Sequence, residues 1–315
     1  MEPIIPAVPR EKLIKELVPE RFVRKTNYGN NEIYIFTHHD SPMLMREIGR
    51  LREMAFRHAG GGTGKKIDID ELDTREDSYQ QLIVWDPEDQ EILGGYRFYK
   101  CMEAEKDCFD FNKLSTSHYF KFSEKFKKTY LPHMIELGRS FVQPFLASGK
   151  RRKGLFALDN LWDGLGSLVI DNPGMRYFFG KVTMYPHFDR LARDMILHFL
   201  YKHFGDPDKL VTPIDPMPLD LERKEITSLL TGKDYMEDYK LLSQQVRKLG
   251  ENVPPLINTY MNLTPTMKTF GTIINTDFGY VEETGIMITL KDMYISKVNR
   301  HLATYRKDYQ LPSHE

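Results

Sequence analysis

The chain has 315 residues, 41% hydrophobic and 28% charged, with 44 Lys and Arg against 45 Asp and Glu. That balance excludes wholesale adsorption to nucleic acid or to an anionic membrane, so any basic patch is local. The opening MEPIIPAVPREK is unlike a secretory signal, no stretch approaches the roughly 20 apolar residues of a bilayer span, and Cys101 and Cys108 lie outside any CxxC pattern, so the expectation is a soluble cytoplasmic protein with reduced thiols.

Glu32 to Thr37 (EIYIFT) is β-branched and aromatic and predicts a strand. Ser41-Pro42 predicts an N-cap followed by proline at the first helical position, with Leu44, Ile48, Leu51 and Ala55 on one face and residues 60–62 (GGG) as the stop. Gln81 to Trp85 and Ile92 to Tyr99 flank Asp86-Pro87-Glu88-Asp89, a hairpin pattern. Ile135 to Val142 predicts a strand, and the helix after it carries Leu155, Leu158, Leu161, Trp162, Leu165 and Leu168 to a stop at Asn172-Pro173-Gly174. Tyr177 to Met184 predicts another strand, and Pro186 opens an amphipathic helix closed by Gly205. Residues 219–250 predict two helices capped by Asp220 and Asp234, Pro254-Pro255 a shorter one, and Thr269 to Asn275 with Gly285 to Leu290 a final pair of strands. This order implies an α/β (α+β) fold, a mixed sheet covered by helices.

Glu136-Leu137-Gly138-Arg139-Ser140 is the sharpest local feature. On a strand, Glu136 and Gly138 share a side while Arg139 points the other way, and the glycine marks a bulge or a close approach to the backbone. A carboxylate beside exposed backbone N–H groups suits attack of an amine on a thioester; a buried ion pair with Arg97 or Arg139 is the structural alternative. Lys150-Arg151-Arg152-Lys153-Gly154 immediately precedes a helix, where basic side chains and free N–H groups make either an anion site for a phosphate or a solvated basic loop. Asp68, Asp70, Glu71, Asp73, Glu76 and Asp77 lack the glycine and distal Glu of an EF-hand, so no metal site is expected there. No HExxH, GxGxxG, GxxxxGK[ST] or GxSxG occurs, and His203 with Asp208 matches an HxxxxD spacing only across a helix end.

Several segments together resemble one family. They are Leu51-Arg52 with Phe56-Arg57, the run Asp77 to Asp86 followed by Gly94-Gly95-Tyr96-Arg97, ELGRSFV from Glu136, Leu161-Trp162-x-Gly164, and YFFGKVT from Tyr177. In this order they resemble the hemolysin-like N-acyltransferases, the group of the lyso-ornithine lipid synthases and the Bacteroides glycine N-acyltransferases, with acyl-homoserine lactone synthases as more distant relatives. The resemblance implies a GNAT-like central sheet over residues 31–204, preceded by an extension (1–30), interrupted by a helical insertion (205–262) and completed by residues 263–315. It implies transfer of a long, 3-hydroxy fatty acyl group from an acyl carrier protein or CoA thioester, a co-substrate rather than a bound cofactor, to a small amino acid such as glycine or ornithine. Glu136, Gly138 and Arg139 would be the catalytic strand, Lys150, Arg151, Arg152, Lys153 and Gly154 the donor site, and Arg52, Arg97 and Asp77 the acceptor site. Phe156 replaces the small residue that closes the pyrophosphate loop of acetyl-CoA users, which suits a carrier-protein donor at least as well. Such an enzyme is cytoplasmic, with its lipid product drawing it to the inner membrane face. A lactone-type signal synthase and a non-catalytic lipid-binding protein are the competing readings.

Overall fold

The computed structural model describes residues 1–102, 109–144, 151–220, 224–232 and 234–305, with the backbone alone at residues 151–155 and 227. In chain order the strands are β1 (Phe22–Lys25), β2 (Glu32–Phe36), β3 (Gln80–Asp86), β4 (Glu91–Lys100), β5 (Phe120–Phe122), β6 (Met134–Val142), β7 (Tyr177–Met184), β8 (Val211–Pro213), β9 (Lys268–Asn275) and β10 (Val281–Thr289). Eight of them form one sheet in the order β1-β2-β3-β4-β6-β7-β10-β9, and β5 pairs with β8 beside it. Every neighbouring pair in the large sheet is antiparallel except β6 and β7, so the expected mixed α/β sheet is present.

Local chemistry explains the central elements. The hairpin between β3 and β4 closes on an Asx turn: the Asp86 carboxylate accepts the N–H groups of Glu88 (2.9 Å) and Asp89 (3.2 Å). Helix α1 (Arg10–Glu16) leads to α2 (Pro42–His58), which buries Leu44, Ile48, Leu51 and Phe56 on one face of the sheet. Ser41 sits at the α2 N-cap, but its hydroxyl donates to Asp40; the cap is Glu16 of α1, which accepts the N–H groups of Met43 (3.0 Å) and Leu44 (2.8 Å). A one-turn helix α3 (Glu71–Thr74) is closed at both ends of a capping box by Asp70 and Asp73.

The other face is covered by α4 (Arg151–Asp171) and α5 (Arg190–Phe204). Helix α5 begins four residues after the expected Pro186. Residues 185–188 turn first, Phe188 N–H to Tyr185 C=O, and Asp189 then caps the helix by accepting from Ala192 N–H at 2.9 Å. Beyond it lie α6 (Lys224–Thr227), α7 (Tyr235–Lys248, capped by Asp234), α8 (Pro255–Met261) and α9 (Ile295–His301). Asp220 immediately precedes residues 221–223, which lie outside the described residues. Residues 1–30 supply α1 and the edge strand β1, neither legible in the hydrophobic pattern. No described helix is long and apolar enough to cross a membrane.

The parallel contact between β6 and β7 is short. It runs from Met134↔Tyr177 to Leu137↔Gly180 and stops, although β6 continues to Val142 and β7 to Met184. The two strands therefore form a fork whose apex is Leu137 and Gly180. A Cβ on Gly180 would lie 2.5 Å from the Leu137 carbonyl oxygen, so only glycine lets the backbones close there. We expect Gly180→Ala to displace the apex and lower stability by about 2 kcal/mol, a fall of several degrees in Tm by calorimetry. An unchanged Tm would show that the apex accommodates a side chain.

Candidate active site

Just past the apex, β6 is irregular. Its register with β4 passes from Arg97↔Gly138 to Gly95↔Phe141, so β6 carries one extra residue, a bulge. The glycine in this strand foretold the bulge, but the left-handed residue is Arg139 (φ 49°), not Gly138. A non-glycine residue in that region costs about 1–3 kcal/mol of strain and persists only where its surroundings hold it. Arg139 is held: its Nε lies 2.8 Å from Asp68, and its guanidinium sits 4.3 Å above the Phe278 ring. The bulge also reverses the expected direction of Arg139, because the extra residue shifts the alternation. Arg139 faces the same cleft as Arg97, and both reach Asp70.

Two cavities meet at this point. One, of about 320 Å³, occupies the fork. It is lined by consecutive residues Leu137 to Val142, by Arg97 and Lys181 from one face of the sheet, and by Tyr96, Ile286 and Ile288 from the other. It therefore runs through the sheet, and its far part is apolar, closed by Leu158, Leu256 and Tyr260. The second cavity, of about 440 Å³, is a polar cleft between the α3 segment, the Ser115–His118 turn and the Phe278 turn. Arg97, Ser115, Arg139, Lys181 and Phe278 line both and form the junction. A cavity open to solvent at one end and apolar at the other accepts a long amphipathic substrate; a cleft rich in paired charges accepts a small zwitterion.

The charges at the junction form one buried network. Asp73 receives Arg52 (3.1 Å), Arg97 (3.2 Å) and the Gln81 amide (3.0 Å); Asp70 receives Arg97 at 2.7 Å. Burial alone would raise the Asp70 pKa, but Arg97 and Arg139 outweigh it and hold the carboxylate well below its ordinary value. Asp68, deeper and further desolvated, is shifted upward by burial despite Arg139 and Arg52. The Arg97 Nε–H has no partner among the described residues, and it lies 3.5 Å from where a Cβ on Gly138 would sit. Gly138 thus leaves a buried donor uncovered at the mouth of the fork.

The expected site residues separate into groups. Gly138, Arg139 and Arg97 meet at the junction. Glu136 lies one pleat deeper, 1% exposed and outside both cavities, and pairs with neither Arg97 nor Arg139. It accepts the Tyr79 hydroxyl and the N–H groups of Ser115 (3.1 Å) and Thr116 (2.8 Å), tying the Ser115–His118 turn to the sheet. The Tyr79 hydroxyl is pushed far up by burial and by this carboxylate. Arg52 is buried beneath the cleft and reaches it only through Asp73; Asp77 stands at the surface, 48% exposed, bound by Lys113 and by the Tyr99 hydroxyl. Lys150 lies outside the described residues; Arg151, Arg152, Lys153 and Gly154 form the first turn of α4, and their side chains are outside the description.

Sequence reading missed Lys181, Glu283, Asn275 and Tyr119. Lys181 bonds Glu283 (2.7 Å), Asn275 donates to the same Glu283 oxygen (3.1 Å), and Tyr119 donates to Asn275 (3.0 Å). The available signal was a lysine inside the apolar run YFFGKVTM; its partner lies 102 positions on, beyond any local pattern.

Residues 51–156 match the acetyltransferase (GNAT) domain family. The chain is 53% identical to a glycine Nα-acyltransferase of Phocaeicola vulgatus, over 98% of this chain and 95% of that protein. It is 54% identical to a glycine Nα-acyltransferase of Bacteroides thetaiotaomicron, over 97% of this chain and 91% of that protein. Among solved structures, an aminoglycoside 6'-N-acetyltransferase complexed with coenzyme A covers 82% of this chain and 96% of its own at 12% identity, with a TM-score of 0.35, too low to bear on the site.

Because Asp73 is shared by two buried arginines, Asp73→Ala leaves Arg52 without a carboxylate and Arg97 with Asp70 alone, and is expected to lower stability by about 3–5 kcal/mol in urea unfolding. A loss under 1 kcal/mol would mean that water or Gln81 replaces the carboxylate. Asp70 gives a pH signature. Its folded pKa is depressed, so its stabilisation is present above the unfolded carboxylate value of about 4 and fades as pH falls toward the lowered one. Asp70→Asn should therefore unfold more easily than the wild type at pH 7, with the gap narrowing below pH 4; a gap independent of pH would remove the ion pairs as its source.

Proposed function

The chain belongs to the GNAT N-acyltransferase family that includes these two bacterial glycine Nα-acyltransferases, and on that premise we propose that it transfers a long fatty acyl group from a thioester to the amine of glycine. That the family is one of acyltransferases removes the non-catalytic lipid-binding reading. The observation that carries the proposal is the fork: a cavity through the sheet, apolar on one side, opens at the Gly138–Arg139 bulge onto a polar cleft.

In this reading the pantetheine arm of the donor lies between the splayed ends of β6 and β7, where strand N–H and C=O groups have no partner strand to satisfy them. The acyl chain passes to the apolar side, against Tyr96, Leu256, Tyr260 and Ile288. We assign the phosphate of the arm to the basic run of the sequence at the start of α4, Lys150, Arg151, Arg152, Lys153 and Gly154. Leu158, which lines the fork cavity, is about 10 Å along the helix axis from that end at 1.5 Å per residue. Phe156 stacks on Tyr28 (5.8 Å) at the surface. Acyl carrier protein is the donor we propose, and a 3-hydroxyacyl group its cargo.

Glycine enters from the polar cleft. Arg97, with its free Nε–H beside Gly138, takes the carboxylate, and Arg139 completes the positive end. The thioester carbonyl then lies at the bulge, where preorganised N–H donors stabilise the oxyanion of the tetrahedral adduct. Glu136 supports this arrangement by fixing the Ser115–His118 turn, and Arg52 by fixing Asp73.

Purified enzyme given glycine and palmitoyl or 3-hydroxypalmitoyl carrier protein is expected to form the N-acylglycine, identified by mass. Product with ornithine but not glycine would overturn the acceptor, and product only with the CoA thioester would overturn the donor. Arg97→Lys keeps the charge but loses the planar fork, so the KM for glycine should rise about 10- to 100-fold while the donor KM changes less than about twofold. Equal rises in both would sink the assignment of Arg97 to the acceptor.

A further inference from the structure

An amine acceptor arrives protonated at neutral pH and cannot attack a carbonyl until a base removes a proton. Several carboxylates lie at or beneath the junction, and those beneath it are engaged. Asp68, Asp70 and Asp73 are bound by Arg139, Arg97 and Arg52, and Glu136 accepts three donors. Among the described residues, Glu283 is the one carboxylate lining the fork cavity itself. It is 5% exposed and stands on β10 opposite Thr183 of β7. Its Oε2 receives Lys181 Nζ (2.7 Å) and Asn275 Nδ2 (3.1 Å), while its Oε1 has no donor among the described residues. Tyr119 holds Asn275 in the orientation that presents Nδ2 to the carboxylate. A buried carboxylate that lines the reacting cavity and is fixed through one oxygen has the form of a proton acceptor.

We propose that Glu283 is the general base of the acyl transfer, accepting the proton of the acceptor amine, with Lys181 and Asn275 as the residues that position it. The inference rests on the amine-acceptor reading above and names the group that reading leaves unassigned. Glu283 takes one proton from the ammonium and releases it to solvent. The nitrogen lone pair attacks the thioester carbon and the C–N bond forms. The C–S bond then breaks, its electron pair leaving on sulfur. The second amine proton, acidic in the adduct, passes through Glu283 to the thiolate, giving amide and thiol.

The groups facing Glu283 are Lys181 on β7, Tyr185 just beyond β7, Asn275 on β9 and, through Asn275, Tyr119, which in turn faces Asp277 and Arg139. Both tyrosines are pushed up to about 12 by burial and then by the Glu283 charge, so neither competes as a base near neutrality.

The experiment is steady-state kinetics with glycine and an acyl carrier protein thioester across pH, on the wild type, Glu283→Gln and Glu283→Asp, with unfolding midpoints for each. Glu283→Gln is isosteric and can still accept from Lys181. Its kcat is expected to fall about 10²-fold or more, with the donor KM within about twofold and the acid limb of the kcat profile lost. Glu283→Asp should keep that limb and lose about tenfold in kcat, because the carboxylate is withdrawn by one methylene. A Glu283→Gln enzyme with kcat within about threefold of wild type, or with the acid limb intact, overturns the proposal. Should the Gln variant fail to fold, wild-type kcat in Glu283→Asp overturns it equally. Wild type that forms no N-acylglycine overturns the acceptor reading and this proposal with it, whereas active wild type with unaffected variants overturns the base alone.

Discussion

The parallel pairing of Met134–Leu137 with Tyr177–Gly180 lasts four residues, and the site is a consequence of its ending there. Up to the apex, the two strands satisfy one another's backbone groups and shut the sheet. Past it, the bulge at Arg139 turns β6 away, and the sheet opens into a channel with unpaired backbone on one wall. Gly180 lets the strands approach at the apex, and Arg139 keeps them from continuing beyond it. Neither would suffice alone. Without the close apex the channel would have no floor; without the bulge the ladder would zip to Val142.

Holding that opening requires charge. A left-handed arginine is strained and persists only where its side chain is fixed; of the fixing groups Asp68 and Asp70, Asp70 is itself held by Arg97, which shares Asp73 with Arg52. Buried ion pairs of this kind contribute little net stability compared with an apolar core of the same shape. Their value here is geometric: the network sets α2, α3, β3, β4 and β6 in register around the mouth of the fork. It also leaves the Arg97 Nε–H unpartnered among the described residues beside the fork cavity, which Glu283 lines as well.

Much of the fold was legible locally. The β3–β4 hairpin, β6, β7, α2 and α4 follow from hydrophobic period and turn residues, because each buries a face set by its own alternation. The departures have specific causes. Pro186 lost the start of α5 to Asp189, a better cap; the Ser41 hydroxyl lost the α2 cap to Glu16, which approaches from α1. Strand β1, four residues long and half polar, carries no periodic signal and is a strand only because β2 pairs with it.

The site was legible in part. Glu136-Leu137-Gly138-Arg139-Ser140 announced an irregular strand, and Gly138, Arg139 and Arg97 do meet. What residue order alone determined was which segments become strands and helices, and that one strand carries a defect, since these depend on side chains within a few positions of one another. Tertiary structure decided which carboxylate faces the channel. Glu136 was drawn into the wall by Tyr79 and the Ser115–His118 turn, while Glu283 was brought to the opening by β10 pairing with β7. The physical reason is that a carboxylate's role depends on which donors surround it, and here those donors come from strands and turns far apart in the chain.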